Sequence, residues 1–364
     1  MKNNSKLLFD CHLDLAWNAL SYKRDLSIDL QKLNLSEKNF NDHPGRGKAT
    51  VTLPEMRLGK VGICLATLLS RAPVEWTSRN KYNTNFLDYP SPTIASAIAQ
   101  GQLAYYTSLN ESEELFTIQT SGQLKNHVSK WKLGQESKIG IIVSMEGCDP
   151  IISPDHTSKW YDQGLRVASL VHYGWGRYAG GTGTNGPLTD EGFKLLKNFN
   201  EFNLIVDLTH LSDQSFDQTI DIYSGPVFAS HQNCRALVPG SRQFSDKQLN
   251  SIVERKGIIC IACDAWMLHP NWKRGYTKPE VLSINSLADH IDHICQIAGN
   301  SYHVAIGSDL DGGFGSEQTP HELKSIADLQ QLYNILLKRG FTESETDLIF
   351  HGNAYRFFRE NLPN

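Results

Sequence analysis

Residues 7–14 read LLFDCHLD, three apolar residues leading into Asp10, His12 and Asp14 at every second position. A short apolar run bordered by turn or polar residues marks a buried parallel strand, and side chains two apart in a strand share a face. His12 and Asp14 therefore project together from the strand's end, where such a pair can hold a metal ion. Taken alone, the stretch reads equally well as a strand entering a helix N-terminus, with Asp14 as the cap and His12 incidental. The rest of the chain decides between the two.

Seven further runs of the same kind follow: VGICLATLLS, KIGIIVSMEG, VASLVHYG, NLIVDLTH, PVFASH, GIICIACDA and HVAIGSDLDG. Helical patterns lie between them, in TIASAIAQGQLAYYTSL, LTDEGFKLLKNFNEF, SDQSFDQTIDIY, INSLADHIDHICQIAG and SIADLQQLYNILLKRG. Ser212 and Asp213 resemble N-caps, and Gly299 and Gly340 stand where helix C-caps belong. Eight strands alternating with helices predict an α/β fold, a closed (β/α)8 TIM-type barrel. No glycine-rich dinucleotide fingerprint follows the first run, which weighs against a doubly wound open sheet. Two long intervals, at about 16–59 and 71–138, break the rhythm. The first contains NDHPGRGKATVTLPEMRLGK, rich in turn formers, and reads as an insertion covering one barrel end within a single domain spanning 1–364.

Composition narrows the function classes. The 364 residues carry 35 basic and 39 acidic side chains, a formal net charge of -4, which gives no electrostatic reason to expect nucleic acid or an anionic membrane. No stretch approaches the roughly 20 continuous apolar residues of a membrane span, and the N-terminus has no apolar run fit for a secretion signal. The polar end RENLPN offers no lipid-anchor signal, so a cytoplasmic location is expected, with a trimmed signal peptide left open. Seven scattered cysteines, an odd number, fit a reducing compartment. Cys260 and Cys263 form a CxxC inside an apolar run and read as buried core thiols.

The run ends carry the functional signal. His12 and Asp14 follow the first run, Glu146 the third, His172 the fourth, His210 the fifth, His231 the sixth and Asp309 the eighth. In a barrel these ends converge on the C-terminal face, where active sites sit. Seven ionisable residues meeting at one mouth are hard to explain as packing, because each loses hydration there without a counter-charge. Histidines and carboxylates suit zinc or a similar divalent ion. Six such ligands exceed the three or so of a catalytic zinc, whereas two metals sharing a carboxylate use them economically.

The pieces DCHLD, SMEG, LVHYG, VDLTHLSD, SHQNCRALVPGSRQFSD, IGSDLDGG and HGNAYRFF, in this order and across nearly the whole chain, resemble the membrane dipeptidase (renal dipeptidase) family of zinc peptidases, peptidase family M19. The resemblance implies a metallo-dependent hydrolase barrel with two zinc ions. His12, Asp14 and Asp309 would hold one, His210 and His231 the other, and Glu146 would bridge both. It further implies dipeptide hydrolysis by a metal-bridging hydroxide. Asp309 would move the proton, His172 would touch the substrate and steady the tetrahedral intermediate, and Arg242 would receive the free C-terminal carboxylate. Asp311 stays outside the site and more plausibly caps or turns the next loop. Two departures stand out: Cys11 occupies a position where glycine is common, and no anchoring tail follows the barrel, as in a soluble microbial-type member.

Other chemistries fit less well. No GxSxG elbow is present, and TGTNG around Thr184 lacks a P-loop lysine, reading instead as a flexible loop or lid near the mouth or, equally well, as a plain surface loop. The aromatics of VHYGWGRY either line a pocket or, as for Trp175, pack. An amidohydrolase or lactonase on a related barrel is the competing enzyme, although such proteins usually begin with HxH. A catalytically silent metal-binding scaffold is the competing non-enzyme. Partners expected are small dipeptides, not nucleic acid or a membrane span, and a homodimer stays open.

Overall fold

The opening run forms strand β1 (Leu8–Leu13), every residue of it buried. The computed structural model describes residues 6–74 and 87–364. In chain order the other strands are β2 (Val61–Leu69), β3 (Leu115–Thr117), β4 (Ile139–Glu146), β5 (Leu165–Ser169), β6 (Ile205–Asp207), β7 (Val227–Phe228), β8 (Ile259–Ile261) and β9 (Val304–Ile306). Neighbours run β7-β6-β5-β4-β2-β1-β9-β8, all parallel. Ala229, just past β7, bridges Ile259 of β8 and completes the ring. This is the (β/α)8 barrel expected from the runs. The ninth strand, β3, pairs with Ile139–Ile141 of β4, below the point where β5 takes over at Val143.

Along each strand neighbouring residues divide between two buried clusters: Phe9, Ile63, Ile142, Val167, Phe228 and Ala305 pack together in one, while Leu8, Ile141, Ala168, Val227 and Val304 join the larger one that includes the helices. The C-terminal helix Asn353–Asn361 adds Phe357 and Phe358 to the first cluster, the latter stacked on Phe9 with ring centroids 5.3 Å apart. The helix thereby closes that end of the cluster. Truncating Phe358 to Ala would cost about 3–5 kcal/mol.

Helix boundaries follow local chemistry. Ser212 caps the helix Asp213–Ile222 by accepting from Ser215 N, while Asp213 lies in the first turn rather than at the cap. The helix Asn285–Ala298 ends at Gly299, whose φ of +67° is the left-handed conformation glycine tolerates. Among the described residues no helix is long and apolar enough to cross a membrane.

The interval after β1 holds helices Leu15–Ser21, Leu30–Ser36 and Leu53–Leu58. Asp311 fastens it to the barrel, accepting from Thr50 N, Thr50 Oγ1 and Val51 N, with Arg24 3.5 Å away. Asp311 does turn the following loop, with φ +63°, but its side chain serves the interval 260 residues earlier in the chain. The second interval contains the helix Pro92–Glu111, β3 and the helix Ser121–Lys132.

Candidate metal centre

The strand ends bring His12, Asp14, Glu146, His172, His210, His231 and Asp309 together at one mouth. Three overlapping sets have ligand atoms mutually within 4.8 Å: His12, Glu146 and His231; Glu146, His172 and His210; His12, Asp14 and Asp309. Glu146 stands between two groups. Its Oε2 lies 3.6 Å from His12 Nε2, which is itself 3.8 Å from both Asp14 Oδ2 and Asp309 Oδ1. Its Oε1 lies 3.2 Å from His210 Nε2 and 3.3 Å from His231 Nε2. Two of these residues, His210 and Asp309, hold left-handed backbones with φ of +70° and +56°, a cost commonly tolerated only where surrounding structure fixes a functional position.

The polar atoms at the centre fit a cation. His12 Nε2, Asp14 Oδ1 and Glu146 Oε1 are buried without a hydrogen-bond partner, although buried polar atoms are nearly always paired. Ser230 gives its only proton to Asp207 Oδ2 (2.5 Å), so at 2.8 Å it accepts from His231 Nδ1, which leaves His231 Nε2 as a bare lone pair. Thr182 Oγ1 lies 3.0 Å from His210 Nδ1 and 3.3 Å from the His210 carbonyl. The Nε2 atoms of His210 and His231 face each other across 3.1 Å, as two ligands of one cation do. His172 differs: Arg71 Nη1 lies 3.0 Å from its Nδ1.

Electrostatics separate the roles further. Burial lowers the proton affinity of His210 and His231 well below the ordinary imidazole value, and nearby charges including Arg242 add to it, which keeps them neutral as ligands must be. Burial alone would raise Glu146, but His172, His12 and His210 pull it well below the usual carboxylate range. Burial lifts Asp309 well above that range, opposed by His12 and reinforced by Asp14 and Glu146.

The centre opens into a cavity of about 390 Å³ whose wall includes Arg242, Tyr173, Asp264, Met267, Arg71 and Trp17. That volume is in the range of small-ligand pockets. Arg242 is buried and braced: Nη1 donates to Gln232 Oε1 (2.8 Å) and Nη2 to the His231 carbonyl (2.9 Å). It supports the loop and faces the cavity at once.

Three cavity residues or supports escaped the sequence reading. Arg71 and Asp264 stand at the ends of the second and seventh runs, where the logic applied to the other six would have found them. Burial pushes Asp264 up to about 7, against hydrogen bonds from Gln318 and Trp266. Thr182 lies in the segment expected to be a loose loop or lid. It is instead packed, with Thr182 buried beneath His210 and Gly181 bridged to Leu211. The aromatics of VHYGWGRY divide: Tyr173 lines the cavity, while half-exposed Trp175 covers Gly186, where a Cβ would meet its ring at 2.1 Å. Cys260 and Cys263 are fully buried in the core, as expected.

Residues 3–362 match the profile of the Membrane dipeptidase (Peptidase family M19) family. An uncharacterized dipeptidase of Schizosaccharomyces pombe is 27% identical over 75% of this chain and 68% of its own length. Dipeptidase verJ of Clonostachys rogersoniana is 25% identical over 81% of this chain and 71% of its own length. Dipeptidase tcpJ of Claviceps purpurea is 27% identical over 54% of this chain and 45% of its own. A Rhodobacter sphaeroides metallopeptidase, solved with a phosphinate mimic of L-Ala-D-Ala, is 21% identical, covers 99% of this chain and all of its own, and superposes with a TM-score of 0.76. The fold, the polar mouth and the whole-length match lead to one conclusion: this chain belongs to the membrane dipeptidase family, peptidase family M19, and is a hydrolase of the metallodipeptidase class.

Proposed function

We propose that the protein hydrolyses dipeptides with a free C-terminal carboxylate, using two zinc ions. His12, Asp14 and Asp309 would hold one ion and His210 and His231 the other, with Glu146 shared between them. The observation that carries this reading is the position of Glu146, whose Oε2 lies 3.6 Å from His12 Nε2 and whose Oε1 lies 3.2 and 3.3 Å from His210 and His231 Nε2. Nitrogen and oxygen donors without thiolate suit zinc and similar divalent ions. Bound there, such ions supply a water of lowered pKa and a Lewis acid for the scissile carbonyl.

The chain's own residues do the rest. Arg242 grips the substrate carboxylate from the cavity wall with charge-assisted hydrogen bonds. His172, with Nε2 3.8 Å from Glu146 Oε1, donates a proton's share to the developing oxyanion. Asp309, placed at the same mouth 3.8 Å from His12 Nε2, accepts the proton of the attacking water and returns it to the leaving amine. All seven cysteines are free thiols, which supports a cytoplasmic, reducing location.

The test is elemental analysis coupled to a hydrolysis screen of dipeptides, including ones with a C-terminal D-residue. About two zinc ions per chain with dipeptide turnover is expected. Turnover of a lactone or cyclic amide, with every dipeptide left intact, would overturn the assignment.

A further inference from the structure

Three histidines surround Glu146, yet their Nδ1 atoms meet different partners. His210 and His231 each meet a hydroxyl, Thr182 and Ser230, a group that can accept as well as donate; Ser230 gives its proton to Asp207, so His231 Nδ1 donates. His172 Nδ1 meets Arg71 Nη1 at 3.0 Å. A guanidinium stays protonated and has only donors, so this contact obliges Nδ1 to accept. The one proton of a neutral imidazole then sits on Nε2, the nitrogen that faces Glu146.

Arg71 is held for this task from both backbone and side chain. It lies two residues past β2, where its N–H donates to the Leu87 carbonyl (2.7 Å) and its carbonyl accepts from Tyr89 N (2.8 Å). Asp88, fixed by that pairing, accepts from Arg71 Nε at 2.7 Å and Nη2 at 2.8 Å, a two-pronged grip that aims Nη1 at His172. Both side chains are largely buried, so little solvent screens the pair.

We propose that Arg71, anchored by Asp88, is a positioning residue that locks His172 in the tautomer with its proton on Nε2, which makes His172 a hydrogen-bond donor to the reacting carbonyl and keeps it out of the metal-ligand set. The proposal rests on the reading that His172 faces the scissile bond. Without Arg71 the ring is free to carry its proton on Nδ1. Its Nε2 would then present a lone pair beside Glu146, unable to donate and able to bind metal.

The experiment uses zinc-loaded full-length protein: wild type, Arg71→Met, which keeps the stem but no donor, and Arg71→Lys, which keeps a donor but not the two-pronged grip. Nitrogen-15 histidine NMR reads which ring nitrogen of His172 is protonated, the signals being assigned by their loss in His172→Asn. Wild type is expected to carry the proton on Nε2 alone. Arg71→Met is expected to populate the other tautomer and lose about 10- to 100-fold in kcat with KM within about twofold, as for outer partners of catalytic groups, and Arg71→Lys to recover part of both. A wild-type proton on Nδ1, or an Arg71→Met variant with the wild-type pattern and kcat, would overturn the proposal. So would a rise in KM alone, which would make Arg71 a substrate grip. Should wild type cleave no dipeptide, the functional reading fails by itself, and the wild-type NMR pattern still decides for or against Arg71.

Discussion

Two sets of buried carboxylates stand on or just past the barrel strands, and their oxygens are met in opposite ways. Asp10 accepts from His12 N, Ser308 N and Ser308 Oγ; Asp207 accepts from Thr209 N, Ser230 N and Ser230 Oγ. Asp311 is likewise met by Thr50 and Val51. Asp14 and Glu146 are just as buried, yet each keeps an oxygen that no donor reaches. Burial therefore does not distinguish the two sets. What differs is whether the chain itself supplies the donors, and where it does not, a cation from outside is the natural complement.

The comparison breaks most visibly at Glu146. Glu146→Gln is expected to lower the metal count and reduce kcat/KM by about 10³-fold or more, because a neutral amide cannot bridge two cations. Elemental analysis beside steady-state kinetics checks this, and an undiminished metal content would mean that the unspent oxygens are not ligands. The next effect tests the cavity wall opposite the metals. Amidating the substrate's C-terminus leaves Arg242 without its counter-charge, at about 2–5 kcal/mol, or roughly 30-fold or more in kcat/KM. Arg242→Ala should erase the preference for the free acid over the amide. If wild type cleaves both equally, Arg242 only braces its loop.

A smaller change is expected where the two sets touch. Ser230→Ala removes the acceptor that orients His231 and one donor to Asp207, so metal affinity should fall about 10- to 100-fold without loss of the fold, measured by competition with a chelator. The smallest effect at neutral pH belongs to His290, a histidine whose Nδ1 the backbone satisfies. It accepts from Cys234 N at 3.0 Å, and burial lowers it to about 4. Its contribution to stability is present above pH 6.5 and is lost as pH falls toward 4, because the unfolded state then binds the proton more tightly. That loss is at most about 3 kcal/mol. His290→Asn keeps an acceptor but cannot titrate, so denaturant unfolding at pH 7 and pH 4.5 should show a shallower acid loss in the variant.

Much of this was legible in the sequence because the decisive signals are local. Apolar runs ending in polar residues located the strands, and the Ser212 cap and Gly299 terminator are set by residues within one turn. The run lengths overstated the ladder: NLIVDLTH is strand only over Ile205–Asp207, because the chain turns at Thr209 and His210, the latter at φ +70°, and PVFASH is strand over Val227–Phe228 with one more bridge at Ala229, because the chain bends at Ser230 and His231. The ligand candidates emerged from run ends, but what orients them did not. Arg71 meets a histidine 101 residues away and Thr182 one 28 residues away, and no local pattern encodes such pairs. Asp264 is masked in the sequence by Cys260 and Cys263, whose CxxC spacing dominates the run that it ends.

The central claim is that Glu146 divides two metal sites and that His172 belongs to neither. Anomalous diffraction at the zinc edge from crystals of the zinc-loaded protein measures this directly. Two peaks are expected, one among His12, Asp14 and Asp309 and one between His210 and His231, both touching Glu146 and neither touching His172 Nε2. A single peak ligated by Glu146, His172 and His210 would contradict the account.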